Sequence, residues 1–219
     1  MYRIVTIARE YGSGGAAIAR MLADRLGWKL LDRCLVEKIA QAARVEPGVA
    51  QAYDERPDPW FDRLIRAFWE GGGLRAALPG PSFEVFDANT AVLLTQKIIE
   101  EAATIGNCVI VGRASQCILQ RRSDTFHVFI YAPREEKLRR VRERHPSLAE
   151  AEQALEVRDR ERAAYVRRFY DQDWTNRHLY HLTLCSSPGE QKAVATILAA
   201  TGLDREKPTS SGRGDQHEG

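Results

Sequence analysis

The chain has 219 residues, of which 44% are hydrophobic, and this is enough to bury one substantial core. Its 32 basic and 30 acidic residues nearly balance, which excludes a broad electrostatic surface for nucleic acid. No apolar run reaches the roughly 18 residues that suggest a membrane-spanning helix, and the N-terminus starts a strand pattern instead of a leader peptide. We therefore expect a cytoplasmic protein without a nucleic-acid or membrane partner, and composition leaves monomer and homo-oligomer equally open.

The first predicted elements are a strand over residues 3–8 and an amphipathic helix over residues 16–26, joined by the glycine-rich sequence Gly-Ser-Gly-Gly. Successive glycines let backbone N–H groups converge on one point. The first turn of the helix adds its unpaired N–H groups and the positive end of its dipole. A structural strand-to-helix turn explains this segment equally well. The residues predicted to form a phosphate cradle are Gly12, Ser13, Gly14, Gly15 and Ala16.

This loop departs from the usual nucleotide-binding P-loop, G-x-x-x-x-G-K-[ST], whose Lys reaches the β- and γ-phosphates. If Gly14 is the second glycine of that motif, Gly15 stands in the Lys position and Ala16 in the Ser/Thr position. Both side chains that contact phosphate and Mg²⁺ are then absent. On spacing alone, the loop is a weak indication of nucleotide binding.

A short strand near residues 28–31 and a helix over residues 34–44 continue a βαβ rhythm. Residues 45–86 then combine Pro- and Gly-rich turns with an aromatic stripe at helical spacing from Trp60 to Trp69. We predict a helical insertion between loops, and the spacing of the stripe is more typical of packing than of base stacking.

The second half of the chain continues the alternation of strands and helices and ends in a polar segment. The predicted elements are a helix over 87–105, strands over 108–112 and 126–131, a helix from Pro133, a strand over 181–185, a helix over 190–200 and a disordered tail over 205–219. Continuous apolar strands joined through helices predict a parallel sheet covered on both faces. Such sheets bind ligands at the carboxyl ends of their strands, where the glycine-rich loop and Gly112-Arg113 fall.

A helix predicted over residues 148–170 is rich in arginine. Arg158 and Arg162 are four residues apart and share a face, so both could close on a polyphosphate. A solvated helix with ion pairs to neighbours such as Asp159 and Glu161 is the simpler interpretation of these residues alone.

The cysteines lack Cys-x-x-Cys spacing and lie in or beside apolar segments, which favours reduced thiols over disulfides and metal ligands. They are Cys34, Cys108, Cys117 and Cys185. No residue of the chain is predicted to be a metal ligand.

Residues 4–15, IVTIAREYGSGG, resemble the start of the cytidylate-kinase-like family, which are relatives of the nucleoside monophosphate kinases. The resemblance extends to Leu31-Asp32-Arg33, to residues 109–113 (VIVGR), to residues 128–134 (VFIYAPR) and to residues 158–162 (RDRER). It covers nearly the whole predicted folded region.

The resemblance implies an α/β fold, a three-layer parallel sheet of the P-loop nucleoside monophosphate kinase type. It further implies a single kinase-like domain over residues 1–204, with a core of 1–44 and 87–204, the helical insertion as the NMP-binding part, and an arginine-bearing lid over about 145–172. The implied activity is phosphoryl transfer from ATP, with Mg²⁺ bridging the donor phosphates, to a small-molecule nucleotide, CMP or dCMP first.

The resemblance also implies roles for individual residues. The family's loop lacks the usual Lys, and Arg9 is the candidate to supply the missing charge. The residues assigned to catalysis are Arg9, Arg113, Arg158 and Arg162, those assigned to ATP are residues 12–16, and those assigned to the acceptor are Asp32, Arg33 and Arg113. Asp32 could hold the acceptor or a metal-bound water, or it could simply cap the helix that follows.

The chain also departs from the family's pattern. Ala16 replaces a residue that is often basic in the family, and Ala114 stands where true cytidylate kinases have Asp after Gly-Arg. Together with Gly15, these residues motivate two alternatives: a kinase of another small metabolite on the same fold, and a catalytically weak regulatory protein that binds nucleotide.

Overall fold

The computed structural model describes residues 1–32 and 88–203. The predicted helix over 34–44, the predicted insertion, the predicted tail, Cys34 and the candidate acceptor residue Arg33 lie outside the described residues.

The described residues form five strands and six α-helices. They are β1 (Ile4–Arg9), α1 (Gly15–Leu26), β2 (Lys29–Leu31), α2 (Ala88–Ile105), β3 (Cys108–Val111), α3 (Ser115–Ile118), β4 (Thr125–Tyr131), α4 (Arg134–Arg142), α5 (Leu148–Tyr170), β5 (Leu182–Cys185) and α6 (Glu190–Thr201). A short 3-10 helix, Arg177–Leu179, precedes β5.

The strands form one sheet in the order β2-β3-β1-β4-β5, and every pairing is parallel. Strand β1 is central: Ile4 pairs with Cys108 of β3 on one side and with Thr125 of β4 on the other. The prediction of a parallel sheet is confirmed. Its topology brings the ends of β1 and β3 side by side, which places the glycine-rich loop next to Gly112-Arg113.

The central strands are mostly apolar because helices cover both of their faces. On one face, Val5 and Ile7 of β1 pack in a buried cluster with Ile18 of α1 and Ile197 of α6. On the other face, Ala8 belongs to a second cluster that includes residues of β4 and α5. Burial of this apolar surface fixes the positions of the strand ends that carry the polar groups described below.

Helix α5 begins and ends at the residues that the sequence predicts. The Ser147 hydroxyl accepts a hydrogen bond from the N–H of Glu150 and caps the N-terminus, and Asp171 ends the helix at φ 49°. The four-residue helix α3 was not predicted, because it is short and begins without a side-chain cap. Within residues 1–32 and 88–203, no helix combines the length and the hydropathy needed to cross a membrane.

The described cysteines are free. Cys108 is buried in β3, and burial raises the pKa of its thiol to about 12. Burial also raises the pKa of Cys117 to about 11. Both thiols therefore stay protonated at neutral pH, which makes them poor nucleophiles.

His127 is a buried ionisable residue at the centre of β4, with 3% of its surface exposed. Its Nδ1 lies 2.7 Å from Oγ1 of Thr6, and its ring stacks on that of His181 with 5.2 Å between the centroids. Burial, reinforced by the charge of His181, lowers the pKa of His127 to about 4, while the Leu119 carbonyl opposes the shift. His127 is therefore neutral in the folded protein at pH 7.

This depressed pKa predicts a pH-dependent stability. Because the unfolded state binds the proton with a pKa of about 6.5 and the folded state only near 4, stability falls as the pH drops through this interval. We expect the wild type to lose about 2 kcal/mol between pH 7 and pH 5 from this group. Urea unfolding at both pH values measures the loss, and the His127→Gln variant should show a smaller one. Equal losses in the two proteins would contradict the assignment.

Candidate functional site

The glycine-rich loop between β1 and α1 has the backbone that an anion cradle requires. Gly12 and Gly14 adopt left-handed conformations with φ of 79° and 78°. Among the described residues, no acceptor is hydrogen-bonded to the backbone N–H groups of Gly14, Gly15 and Ala16. Ser13 is buried, and its carbonyl accepts a 2.6 Å hydrogen bond from the Ser186 hydroxyl. Ser186 thus anchors the loop through Ser13, and the described residues leave the N–H groups of residues 14–16 available.

Arg9 occupies the space that a side chain at position 15 would need. A Cβ on Gly15 would lie 2.7 Å from Cβ of Arg9 and 2.9 Å from its Cγ, closer than real Cβ atoms approach. A Cβ on Gly112 would collide with Nη1 of the same arginine. The Arg9 side chain therefore runs from the loop to the end of β3 through space left by two glycines. This packing is a physical reason for the absence of a Lys at position 15.

The Arg9 guanidinium is held among other positive charges. Its pKa is lowered to about 10, first by burial and then by the charges of Arg162 and Arg113, while Asp159 and Asp32 oppose the shift. Arg9 stays charged at neutral pH. Like charges repel more strongly in a poorly solvated site, and a bound anion would relieve that repulsion. This group of arginines therefore favours the binding of an anion.

Asp159 attaches helix α5 to the start of the glycine-rich loop. Its Oδ1 accepts hydrogen bonds from the N–H of Tyr11 at 2.7 Å and from Nη1 of Arg162 at 2.8 Å. The same Nη1 of Arg162 donates to the carbonyl oxygen of Arg9 at 3.0 Å. Burial raises the pKa of Asp159, and the Tyr11 N–H and Arg162 oppose that shift. These contacts hold Arg162 against the end of β1.

Helix α4 and the turn after it contribute two basic residues that were not among the predicted site residues. Nη1 of Arg140 donates to the Gly12 carbonyl at 3.3 Å and to the Ser186 hydroxyl at 3.1 Å. Arg140 and Arg144 line a cavity of about 170 Å³ above the glycine-rich loop. Their position after β4, whose carboxyl end faces the loop, is a signal that could have identified them.

A larger cavity of about 440 Å³ lies between the ends of β1 and β3 and helix α5. Its lining contains the four arginines to which the sequence analysis assigned catalysis: Arg9, Arg113, Arg158 and Arg162. It adjoins the cavity above the loop, because Arg9, Tyr11 and Arg162 line both. The two cavities thus place the glycine-rich loop and an arginine cluster side by side.

The ion-pair interpretation of α5 also holds in part. Arg158 is half-exposed and pairs with Glu161 at 3.2 Å, and Arg162 pairs with Asp159 at 2.8 Å. Both pairs form within one turn of the helix. The arginines nevertheless line the cavity, so pairing within the helix and facing the cavity are compatible.

The turn after β3 is backbone-strained where it presents Arg113 to the cavity. Gly112, Arg113 and Ala114 have successive φ values of 71°, 56° and 55°, all in the left-handed region. That conformation is unfavourable for the two residues that carry a Cβ. Ala114 is 4% exposed and packs near Phe129, so an apolar methyl group stands where true cytidylate kinases carry a carboxylate.

Asp32 directly follows β2, and its charge acts on Arg9, which places it in the same electrostatic environment as the arginine cluster. The helix that Asp32 was predicted to cap lies outside the described residues, so its capping role stays a prediction.

Comparison with solved structures finds similar folds. An uncharacterized protein from Eubacterium ventriosum ATCC 27560 matches 92% of this chain and 99% of its own with a TM-score of 0.67 at 19% identity. Shikimate kinases from Bacteroides thetaiotaomicron and Acinetobacter baumannii match 91% and 94% of this chain and 98% and 97% of theirs, at 13% and 18% identity with TM-scores of 0.49 and 0.48. No curated protein matches the chain.

The comparison with protein families agrees with the resemblance seen in the sequence. The match to the cytidylate kinase-like family spans both cavities described above and all five strands of the sheet. The family indicates a P-loop kinase, for which ATP and a divalent metal are the general requirement. Because the match extends over residues 4–188, the chain belongs to the cytidylate kinase-like family.

Proposed function

We propose that the protein transfers the γ-phosphoryl group of ATP to a nucleoside monophosphate, with CMP or dCMP as the first acceptors. The observation that carries this proposal is the convergence of Arg9, Arg113, Arg158 and Arg162 on one cavity beside the glycine-rich loop. Phosphoryl transfer depends mainly on alignment and on neutralising charge around the moving group, and guanidinium groups do both.

On the donor side, the backbone N–H groups of residues 14–16 bind the β-phosphate, and Arg9 takes the part of the missing P-loop Lys. Arg140 and Arg144 line the same small cavity and bind further phosphate oxygens. Mg²⁺, when bound, neutralises charge on the donor phosphates. Among the described residues no cluster of three or more His, Cys, Asp and Glu side chains could hold a metal, so the phosphates and water supply most ligands. Asp32 is our candidate for holding a metal-bound water.

On the acceptor side, Arg113 binds the acceptor phosphate, with Asp32 and Arg33 as further acceptor residues. Arg158 and Arg162 stabilise the transferring phosphoryl group. Helix α5 carries both of these arginines and forms one wall of the cavity, so it excludes water that would otherwise hydrolyse ATP.

Ala114 lines the larger cavity where true cytidylate kinases have an acidic residue. The missing acidic group favours a second candidate, a kinase that acts on another small metabolite. The packing of Arg9 against Gly15 argues against the third alternative, a regulatory protein with little activity. Gly15, in the Lys position, leaves room for the Arg9 side chain, which carries a positive charge of its own. The absence of the Lys is therefore not a sign of lost activity.

ADP release tests the proposal. The purified protein is incubated with ATP and Mg²⁺ and with CMP, dCMP, UMP, AMP, GMP, shikimate or a simple sugar, alongside a blank without acceptor. We expect CMP or dCMP to stimulate ADP release most strongly. Stimulation by shikimate or a sugar alone would favour the second candidate, and ATP binding without stimulation by any acceptor would favour a regulatory role.

A further inference from the structure

Ser186 is a buried polar residue that contacts the glycine-rich loop. It directly follows β5, and none of its surface is exposed. Its hydroxyl donates to the Ser13 carbonyl at 2.6 Å and accepts a hydrogen bond from Nη1 of Arg140 at 3.1 Å. A serine hydroxyl has one hydrogen to donate, so the bond to Ser13 fixes its direction and leaves its lone pairs to Arg140. One hydroxyl group therefore connects the loop with helix α4.

The bond to Ser13 orients the peptide between Ser13 and Gly14. In a trans peptide such as this one, the C=O and the following N–H point in opposite directions. Because the Ser13 carbonyl is held towards Ser186, the Gly14 N–H points away from it. Glycine also tolerates the conformation with this peptide reversed, which would present a carbonyl oxygen to an incoming phosphate. The Ser186 hydroxyl stabilises the orientation that presents the N–H.

The bond to Arg140 orients a positive charge beside the same loop. Nη1 of Arg140 also donates to the Gly12 carbonyl at 3.3 Å, and Nη2 donates to Glu136 at 3.2 Å, so three contacts hold the guanidinium. The Arg140 side chain nevertheless keeps 26% of its surface exposed and lines the cavity of about 170 Å³ above the loop. The guanidinium is thus held by protein groups and still accessible to a ligand.

We propose that Ser186 is a positioning residue for the phosphates of ATP, and that it acts through the Gly14 N–H and the Arg140 guanidinium. This inference rests on the donor half of the proposed function. Hydrogen-bond donors that are fixed before the ligand arrives bind it more tightly, because they lose less freedom on binding. A buried hydroxyl that contacts no ligand itself therefore controls the affinity for ATP.

Calorimetric titration of the purified protein with ATP and Mg²⁺ tests this role. We expect Ser186→Ala to weaken ATP binding about tenfold or more, because a buried carbonyl loses its donor and Arg140 loses an acceptor. Ser186→Thr keeps the hydroxyl and should bind ATP within about threefold of the wild type. The hydroxyl of the exposed Ser187 contacts Sγ of Cys185 instead of the loop, so Ser187→Ala is the matched control and should keep the wild-type affinity.

A double-mutant cycle with Arg140→Met separates positioning from a general loss of stability. Because Ser186 acts partly through Arg140, Ser186→Ala should reduce ATP affinity by a smaller factor in the Arg140→Met background than in the wild type. At saturating ATP, Ser186→Ala should keep the wild-type KM for the acceptor, since Arg113 is untouched. Urea unfolding establishes that each variant is folded. If Ser186→Ala does not fold, Ser186→Cys, a much weaker donor of similar size, takes its place.

Wild-type ATP affinity in a folded Ser186→Ala protein overturns the inference. Equal losses from Ser186→Ala in the two Arg140 backgrounds also overturn it, as does a loss of the same size in Ser187→Ala. ATP binding is measured without an acceptor, so failure of every nucleotide to stimulate ADP release would overturn the proposed acceptor and leave the role of Ser186 standing. A wild type that does not bind ATP overturns both.

Discussion

Replacing Arg9 by Ala is expected to lower kcat/KM by about 10²–10³-fold, because a preorganised positive charge at the transferring phosphates is lost. The charge lies in a poorly solvated site between the glycine-rich loop and the end of β3. Steady-state kinetics with ATP and the preferred acceptor measure the loss. Arg20 of helix α1 is exposed and lines neither cavity, so Arg20→Ala is the matched control.

A paired substitution separates the charge of Arg9 from its packing. Arg9→Gly removes the side-chain atoms that exclude a Cβ at position 15, and Gly15→Lys then introduces the conventional P-loop Lys into the vacated space. We expect the double variant to recover part of the activity that Arg9→Gly loses, whereas Gly15→Lys alone should be inactive. Wild-type kinetics in a folded Arg9→Ala protein would refute the assignment of Arg9 to the phosphates.

Arg113→Ala is expected to lower kcat/KM for the acceptor by about 10²-fold or more and to leave ATP binding unchanged. Arg113→Gly should lose the same activity and yet stabilise the fold by about 1 kcal/mol, since glycine relieves the strain of a φ of 56°. Kinetics of the two variants measure the role of the side chain in acceptor binding, and urea unfolding measures the effect of backbone strain on stability. A stable Arg113→Gly protein with normal acceptor kinetics would exclude Arg113 from the site.

The exposed Arg121 lies in the same connection between β3 and β4 and serves as the control for Arg113. Arg121→Ala removes an equal charge without touching either cavity, so its kinetics should match those of the wild type. A comparable loss of activity in this variant would point to a general effect of net charge instead of a contact with the acceptor phosphate.

Local sequence patterns were sufficient to predict the five strands and, apart from the four-residue α3, the α-helices of the described residues. Strand β3 reads as a continuous apolar run because both of its faces are covered, and α5 follows a serine that can cap it. The glycine-rich loop and Arg113 were recognisable because both directly follow strands, and parallel strands place their carboxyl ends at one edge. Such features depend on neighbours in the chain or on a simple rule of sheet topology.

Features that depend on contacts between distant segments were not predictable in this way. Arg140 reaches the loop only because α4 packs beside it, and the bond from Tyr11 to Asp159 joins residues 148 positions apart. Gln116, which lines the larger cavity, sits in a helix of one turn, too short to show a periodic pattern.

The shared space of Arg9, Gly15 and Gly112 has a consequence for how this loop can evolve. A Lys at position 15 cannot be gained in one mutational step while Arg9 is present, and losing Arg9 first would remove the charge before its replacement arrives. The three positions are therefore epistatic and should change together or not at all. A motif search that requires Lys after the glycines would overlook this protein, whereas a pattern that couples Arg9 to glycines at 15 and 112 describes how it is built.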